Sequence, residues 1–161
     1  MIKIGDTIPN AKLGLMTANG PTEKTTAELF GNQRVALFAV PGAFTPTCHA
    51  THMPSIVKAA SKLSEKGLEA IYCISVNDAF VMGAWDEATG ASKAGVTLLA
   101  DGAATLTRAM GLELDLTGYG MGLRSHRYAM VIDHGKVTHL ELESNPGLAT
   151  CSRGDHLLSL L

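Results

Sequence analysis

The feature that most constrains this chain is the run Val35-Ala36-Leu37-Phe38-Ala39-Val40, apolar at every position and stopped by Pro41-Gly42. A strand with one wet face alternates apolar and polar residues; a strand covered on both faces does not. The run therefore predicts an interior strand, and such strands belong to sheets flanked by helices. The neighbouring sequence supplies the helices. Thr45-Pro46 opens one, and its apolar positions Met53, Ile56, Val57, Ala60 and Leu63 form a single stripe before Gly67. Pro54 lies inside that pattern and is expected to kink it. Leu68 to Val76 reads as the next strand, and Asn77-Asp78 caps a helix carrying Phe80, Val81, Ala84 and Trp85.

The alternation continues with a strand over Val96–Ala100 and a helix over Ala103–Met110, ended by Gly111. Strands over Arg127–Ile132 and Lys136–Leu142 are joined at Asp133-His134-Gly135, and Ser152 to Leu161 reads as a closing helix. Upstream, Asn19-Gly20-Pro21 turns one short strand into another, and Ala27–Phe30 is a brief helical piece before Gly31. Together these predict an α/β fold: a central mixed β-sheet flanked by helices, with an N-terminal β-hairpin extension. The chain has 161 residues and shows no repeat or linker, so a single domain over residues 1–161 is expected.

A formal net charge of −2 with no Lys/Arg cluster argues against nucleic-acid binding. No apolar run approaches the ~20 residues of a membrane helix. Met1-Ile2-Lys3-Ile4-Gly5-Asp6 breaks apolar character too early for an export signal, so a reducing, cytoplasmic setting is expected. In such a setting the three cysteines, Cys48, Cys73 and Cys151, are read as free thiols that are reactive, metal-binding or buried.

Their positions differ. With Thr45 as N-cap and Pro46 as first helical residue, Cys48 is the third residue of a helix, where a capping box would place an anionic Glu. Free amides and the helix dipole favour a thiolate there. The alternative is a small residue packed into the helix–sheet seam. Cys73 lies inside an apolar strand and reads as packing, while Cys151 sits in a polar loop before the last helix. Cys48 and His52 share a helix face, but two ligands do not make a zinc site and no further Cys or His spacing completes one. Gly118-x-Gly120-x-Gly122 precedes a strand, so it is no dinucleotide fingerprint.

The segment Pro41-Gly42-Ala43-Phe44-Thr45-Pro46-Thr47-Cys48, with His52 and Pro54, resembles the active-site loop of peroxiredoxins, and more narrowly the atypical two-cysteine peroxiredoxin 5 type. Ser75-Val76-Asn77-Asp78-Ala79-Phe80, Trp85, Leu99-Ala100-Asp101-Gly102, Arg124-Ser125-His126-Arg127 and Gly147-Leu148-Ala149-Thr150-Cys151-Ser152 share the resemblance. It implies a thioredoxin fold and, in many members, a homodimer. It also implies reduction of hydrogen peroxide and alkyl hydroperoxides without metal or other cofactor. Cys48 would be the peroxidatic nucleophile, becoming a sulfenic acid, with Thr45 and Arg127 activating it and Pro41 shaping the pocket. Cys151 would resolve it as an intramolecular disulfide, and thioredoxin would be the reductant. Relatives without the resolving cysteine are recycled by glutaredoxin or glutathione, which is the alternative. A peroxide sensor without turnover, or a metal-binding protein, is the rival class. Arg124 and His49 receive no firm role.

Overall fold

The computed structural model describes residues 1–161. Nine strands and five α-helices alternate along the chain. Strands β1 (Lys12–Thr17) and β2 (Gly20–Thr25) form the N-terminal hairpin, followed by α1 (Thr26–Phe30), β3 (Arg34–Val40), α2 (Met53–Glu65), β4 (Ala70–Ser75), α3 (Ala79–Thr89) and β5 (Val96–Ala100). Helix α4 (Thr105–Ala109), β6 (Glu113–Leu116), β7 (Gly122–Ser125), β8 (Tyr128–Asp133), β9 (Lys136–Leu142) and α5 (Gly154–Ser159) complete it. The main sheet has the order β2-β1-β5-β4-β3-β8-β9. β3 pairs in parallel with β4, and β4 with β5; β8 lies antiparallel to β3 on the other side.

The apolar run is the middle of this sheet, and its alternation shows why no polar residue is tolerated there. Ala36, Phe38 and Val40 point into a core formed with Ile56, Leu63, Trp85 and Leu157 of α2, α3 and α5. Val35, Leu37 and Ala39 point into a second core with Leu29, Phe30 and Leu106 of α1 and α4. Both faces are dry, so a period of two carries no polar partner. Cys73 on β4 opposes Phe38 and falls in the first core, the same side as Cys48.

The expected mixed sheet, its flanking helices and the hairpin extension are all present. Three local expectations change. A second, two-stranded sheet, β6 with β7, brackets the glycine-rich stretch that the sequence shows only as a loop. The hydroxyl of Thr45 does not cap the helix through a backbone N–H; it donates to the Gly42 carbonyl at 2.7 Å. Between Cys48 and His52 the helix widens into a π-turn, with the Met53 N–H reaching back to the Cys48 carbonyl. Pro54 follows immediately in the first turn of α2, where a missing N–H is tolerated.

Candidate active site

The site forms where β3 ends. Its antiparallel neighbour β8 pairs Tyr128 with Ala39, so Arg127, one residue earlier, stands beside the Pro41-Gly42 turn that leads to Cys48. Topology thus closes a separation of 79 positions. The turn itself leaves no room: a Cβ on Gly42 would lie 2.8 Å from an Arg124 nitrogen and 3.1 Å from the Thr45 methyl. Arg124 fastens it by donating to the carbonyls of Pro41 (3.3 Å) and Met121 (2.9 Å), which makes it a support of the loop and not a partner of the thiol. From the other side the Asn77 side-chain carbonyl accepts the Ala43 N–H at 3.0 Å.

Arg127 is 2% exposed, and every branch of its guanidinium is used. One terminal nitrogen donates to Cys48 Sγ at 3.1 Å, the other to His52 Nδ1 at 2.9 Å, and Nε to the Pro146 carbonyl at 3.0 Å. No carboxylate stands within ion-pair distance of it. A buried guanidinium must have an anionic counterpart or lose several kcal/mol. Of its three acceptors, the Cys48 sulfur, itself 1% exposed, is the one whose side chain can carry negative charge. A cavity of about 420 Å³ opens in front, lined by Pro41, Thr45 and Arg127 and walled by Leu116, Tyr119 and Met121.

A matching sequence model described as Redoxin covers residues 3–157. Rice Peroxiredoxin-2E-2, chloroplastic, is 47% identical over 99% of this chain and 72% of its own length. The chain belongs to the peroxiredoxin family. Arabidopsis thaliana Peroxiredoxin-2E, chloroplastic, is 42% identical over 99% of this peroxiredoxin and 69% of its own length. The crystal structure of reduced Prx3 from Vibrio vulnificus in complex with hydrogen peroxide superposes with a TM-score of 0.93 at 48% identity, covering 99% of each chain. The thioredoxin-like fold and the thiol-peroxidase class follow, with peroxides as substrates and thiols as reductants. The cytoplasmic expectation is corrected: two of these relatives are named chloroplastic. Sparse cysteines and an interrupted N-terminus fit any reducing compartment, so they could not single out the cytoplasm.

His52 is the residue whose role the sequence misses. It belongs to the loop that carries the family resemblance and shares a helix face with Cys48, but the sequence gives it no role of its own; in the structure both ring nitrogens are engaged. Arg127 can only donate, so Nδ1 accepts and Nε2 carries the hydrogen, donating to the Ser152 carbonyl at 2.7 Å. Burial first, and the Arg127 charge second, push the imidazole down to about 4. A folded value below the ordinary 6.5 means that the folded state binds fewer protons. Its contribution is therefore complete above pH 6.5 and is lost as pH falls toward 4. Urea unfolding at pH 7 and pH 4.5 should show a loss of roughly 2–3 kcal/mol from this group. His52→Gln should lack that part of the pH slope; an identical slope would remove the assignment.

His49 makes no hydrogen bond to the sulfur. Its ring stacks on Phe44 with centroids 5.8 Å apart, and its Nδ1 accepts from Trp85 Nε1 at 3.0 Å. Phe44 holds a left-handed φ of +63° at this corner, uncommon for a bulky residue. Cys73 is fully buried, and burial, with the Cys48 sulfur nearby, pushes its thiol up. Cys151 is half-buried, its thiol raised by burial and then by the Glu143 charge. All three thiols are free.

Proposed function

We propose that this peroxiredoxin reduces hydrogen peroxide and small alkyl hydroperoxides at Cys48. The observation that carries the assignment is the buried Arg127, unpaired with any carboxylate and donating to Cys48 Sγ at 3.1 Å. The sulfur attacks one peroxide oxygen, the O–O bond breaks, and Cys48 becomes a sulfenic acid while the other oxygen leaves as alkoxide or hydroxide and takes up a proton. Arg127 lies where negative charge is shared between sulfur and departing oxygen, the place at which a fixed cation lowers the barrier. Thr45, held by Gly42, orients the peroxide from the cavity side, and Pro41 keeps water from the sulfur. The apolar wall of Leu116 and Met121 fits an alkyl substituent.

Cys151 then condenses with the sulfenic acid, as in the atypical two-cysteine type, and thioredoxin reduces the disulfide. Its loop is anchored to the active-site helix at both ends: the Thr47 hydroxyl donates to the Gly147 carbonyl at 2.8 Å, and His52 holds Ser152. Cys73, sealed in the core, takes no part. One domain over residues 1–161 and a homodimer belong to the same proposal; exposed Phe44 and Phe80 are the apolar residues such a contact would cover.

Non-reducing peptide mapping after one equivalent of hydrogen peroxide tests the pairing. A Cys48–Cys151 link is expected, and Cys151→Ser should accumulate the Cys48 sulfenic acid and lose turnover with thioredoxin by about tenfold or more. A Cys48–Cys73 link, or undiminished thioredoxin-dependent turnover in Cys151→Ser, would reject Cys151. Undiminished turnover with glutaredoxin and glutathione alone would move the protein to the one-cysteine mechanism.

A further inference from the structure

The loop that carries Cys151 runs between β9 and α5, and one buried carboxylate fastens it. Glu143, 5% exposed and directly after β9, accepts the N–H of Thr150 and of Ser152 (2.9 Å) and the Ser152 hydroxyl (2.8 Å) on Oε1. Its Oε2 accepts the Thr150 hydroxyl at 2.9 Å. Both neighbours of Cys151 are thus tied, main chain and side chain alike, to the same group. No cation lies within ion-pair distance of Glu143. Burial alone would push its carboxyl up; the hydrogen bonds from Ser152 and Thr150 outweigh burial and hold it at about 2.

The fastened loop is a resting arrangement. Cys48 points to Arg127, and Cys151 is a free, partly covered thiol. A disulfide needs Cα atoms within ~7 Å and Cβ vectors that converge. With Thr150 and Ser152 both held by Glu143, any movement of Cys151 strains or breaks these bonds. The same loop is coupled to the nucleophile's helix: His52 bonds both Arg127 and the Ser152 carbonyl, and Ser152 in turn is held by Glu143. The Glu143 N–H also donates to the Arg127 carbonyl at 3.0 Å.

We propose that Glu143 is a positioning residue of the resolving step: its carboxylate latches the Cys151 loop in the resting arrangement, and opening this latch limits how fast Cys151 reaches the oxidised Cys48. The inference rests on the reading of Cys151 as the resolving thiol. In that step an S–S bond forms and the S–O bond of the Cys48 sulfenic acid breaks. The proton lost by the Cys151 thiol ends on the departing hydroxide, giving one water, and no external oxidant is needed.

The test is a single pulse of hydrogen peroxide on the full chain, acid-quenched at intervals, with sulfenic acid and disulfide counted by non-reducing mass spectrometry. Glu143→Gln should form the Cys48–Cys151 disulfide about tenfold faster, because charge-assisted bonds are replaced by neutral ones. The double variant Thr150→Val/Ser152→Ala keeps the carboxylate, removes both hydroxyl donors and should accelerate the same step about threefold. It decides the matter if Glu143→Gln does not fold. In both, the Cys48 sulfinic acid formed under excess peroxide should fall. Disulfide formation that is unchanged or slower in the folded variants would overturn the latch. Parent protein forming no Cys48–Cys151 disulfide would overturn the resolving reading and the latch with it, an outcome distinct from a parent disulfide with unaltered variant rates.

Discussion

Cys48→Ser should remove peroxide reduction, with turnover falling at least about a thousandfold. The replacement is close to isosteric, so the Arg127 and His52 contacts survive and the loss is chemical. A serine hydroxyl beside a guanidinium is a far weaker nucleophile than sulfur toward an O–O bond and cannot be cycled through a sulfenic acid by thiols. Thermal unfolding alongside the assay separates this from damage to the core, because Cys48 is 1% exposed and packed among Val40, Met53 and Trp85. Folded protein with substantial residual turnover would place the nucleophile elsewhere.

The second large effect is at Arg127. Three separate acceptors, Cys48 Sγ, His52 Nδ1 and the Pro146 carbonyl, lie around one planar guanidinium. Lysine keeps the charge but offers a compact ammonium on a flexible stem, which cannot meet acceptors fixed around a fork. Arg127→Lys should therefore lower kcat/KM for hydrogen peroxide by about 10²–10³, the range found when one preorganised donor to a developing anion is lost. Because the contact is made at the reacting sulfur, the rate of sulfenic acid formation in a single turnover should fall by the same factor. The reductant step should be spared. A loss confined to reductant KM would contradict the assigned place of Arg127.

How much of this is legible in the sequence differs from element to element. The interior strand is plain in Val35–Val40 because burial on both faces abolishes alternation, and the helix start at Thr45-Pro46 is plain because proline fits a first turn. The π-turn at Cys48–His52 is not, since it depends on a hydrogen bond shifted by one residue and leaves no residue type behind. Arg127 could be assigned only through the family resemblance. Alone, it is a basic residue before a strand, and its burial follows from β8 pairing with β3. Glu143 gives no signal at all: it follows Glu141 in a strand end that reads as solvated, and the loop folding back over it creates the role. His52 is visible as part of the family's loop, but its bridging of Arg127 and Ser152 is not, because both contacts come from segments 75 and 100 positions away.

The central claim is that peroxide oxidises Cys48 first. A sulfenic-acid-trapping dione, present during exposure of the reduced protein to one equivalent of hydrogen peroxide and followed by peptide mass spectrometry, reads this directly. The adduct should lie on the peptide containing Cys48, in Cys151→Ser as in the parent and at higher yield. An adduct on Cys73 or Cys151 with Cys48 unmodified would contradict the account.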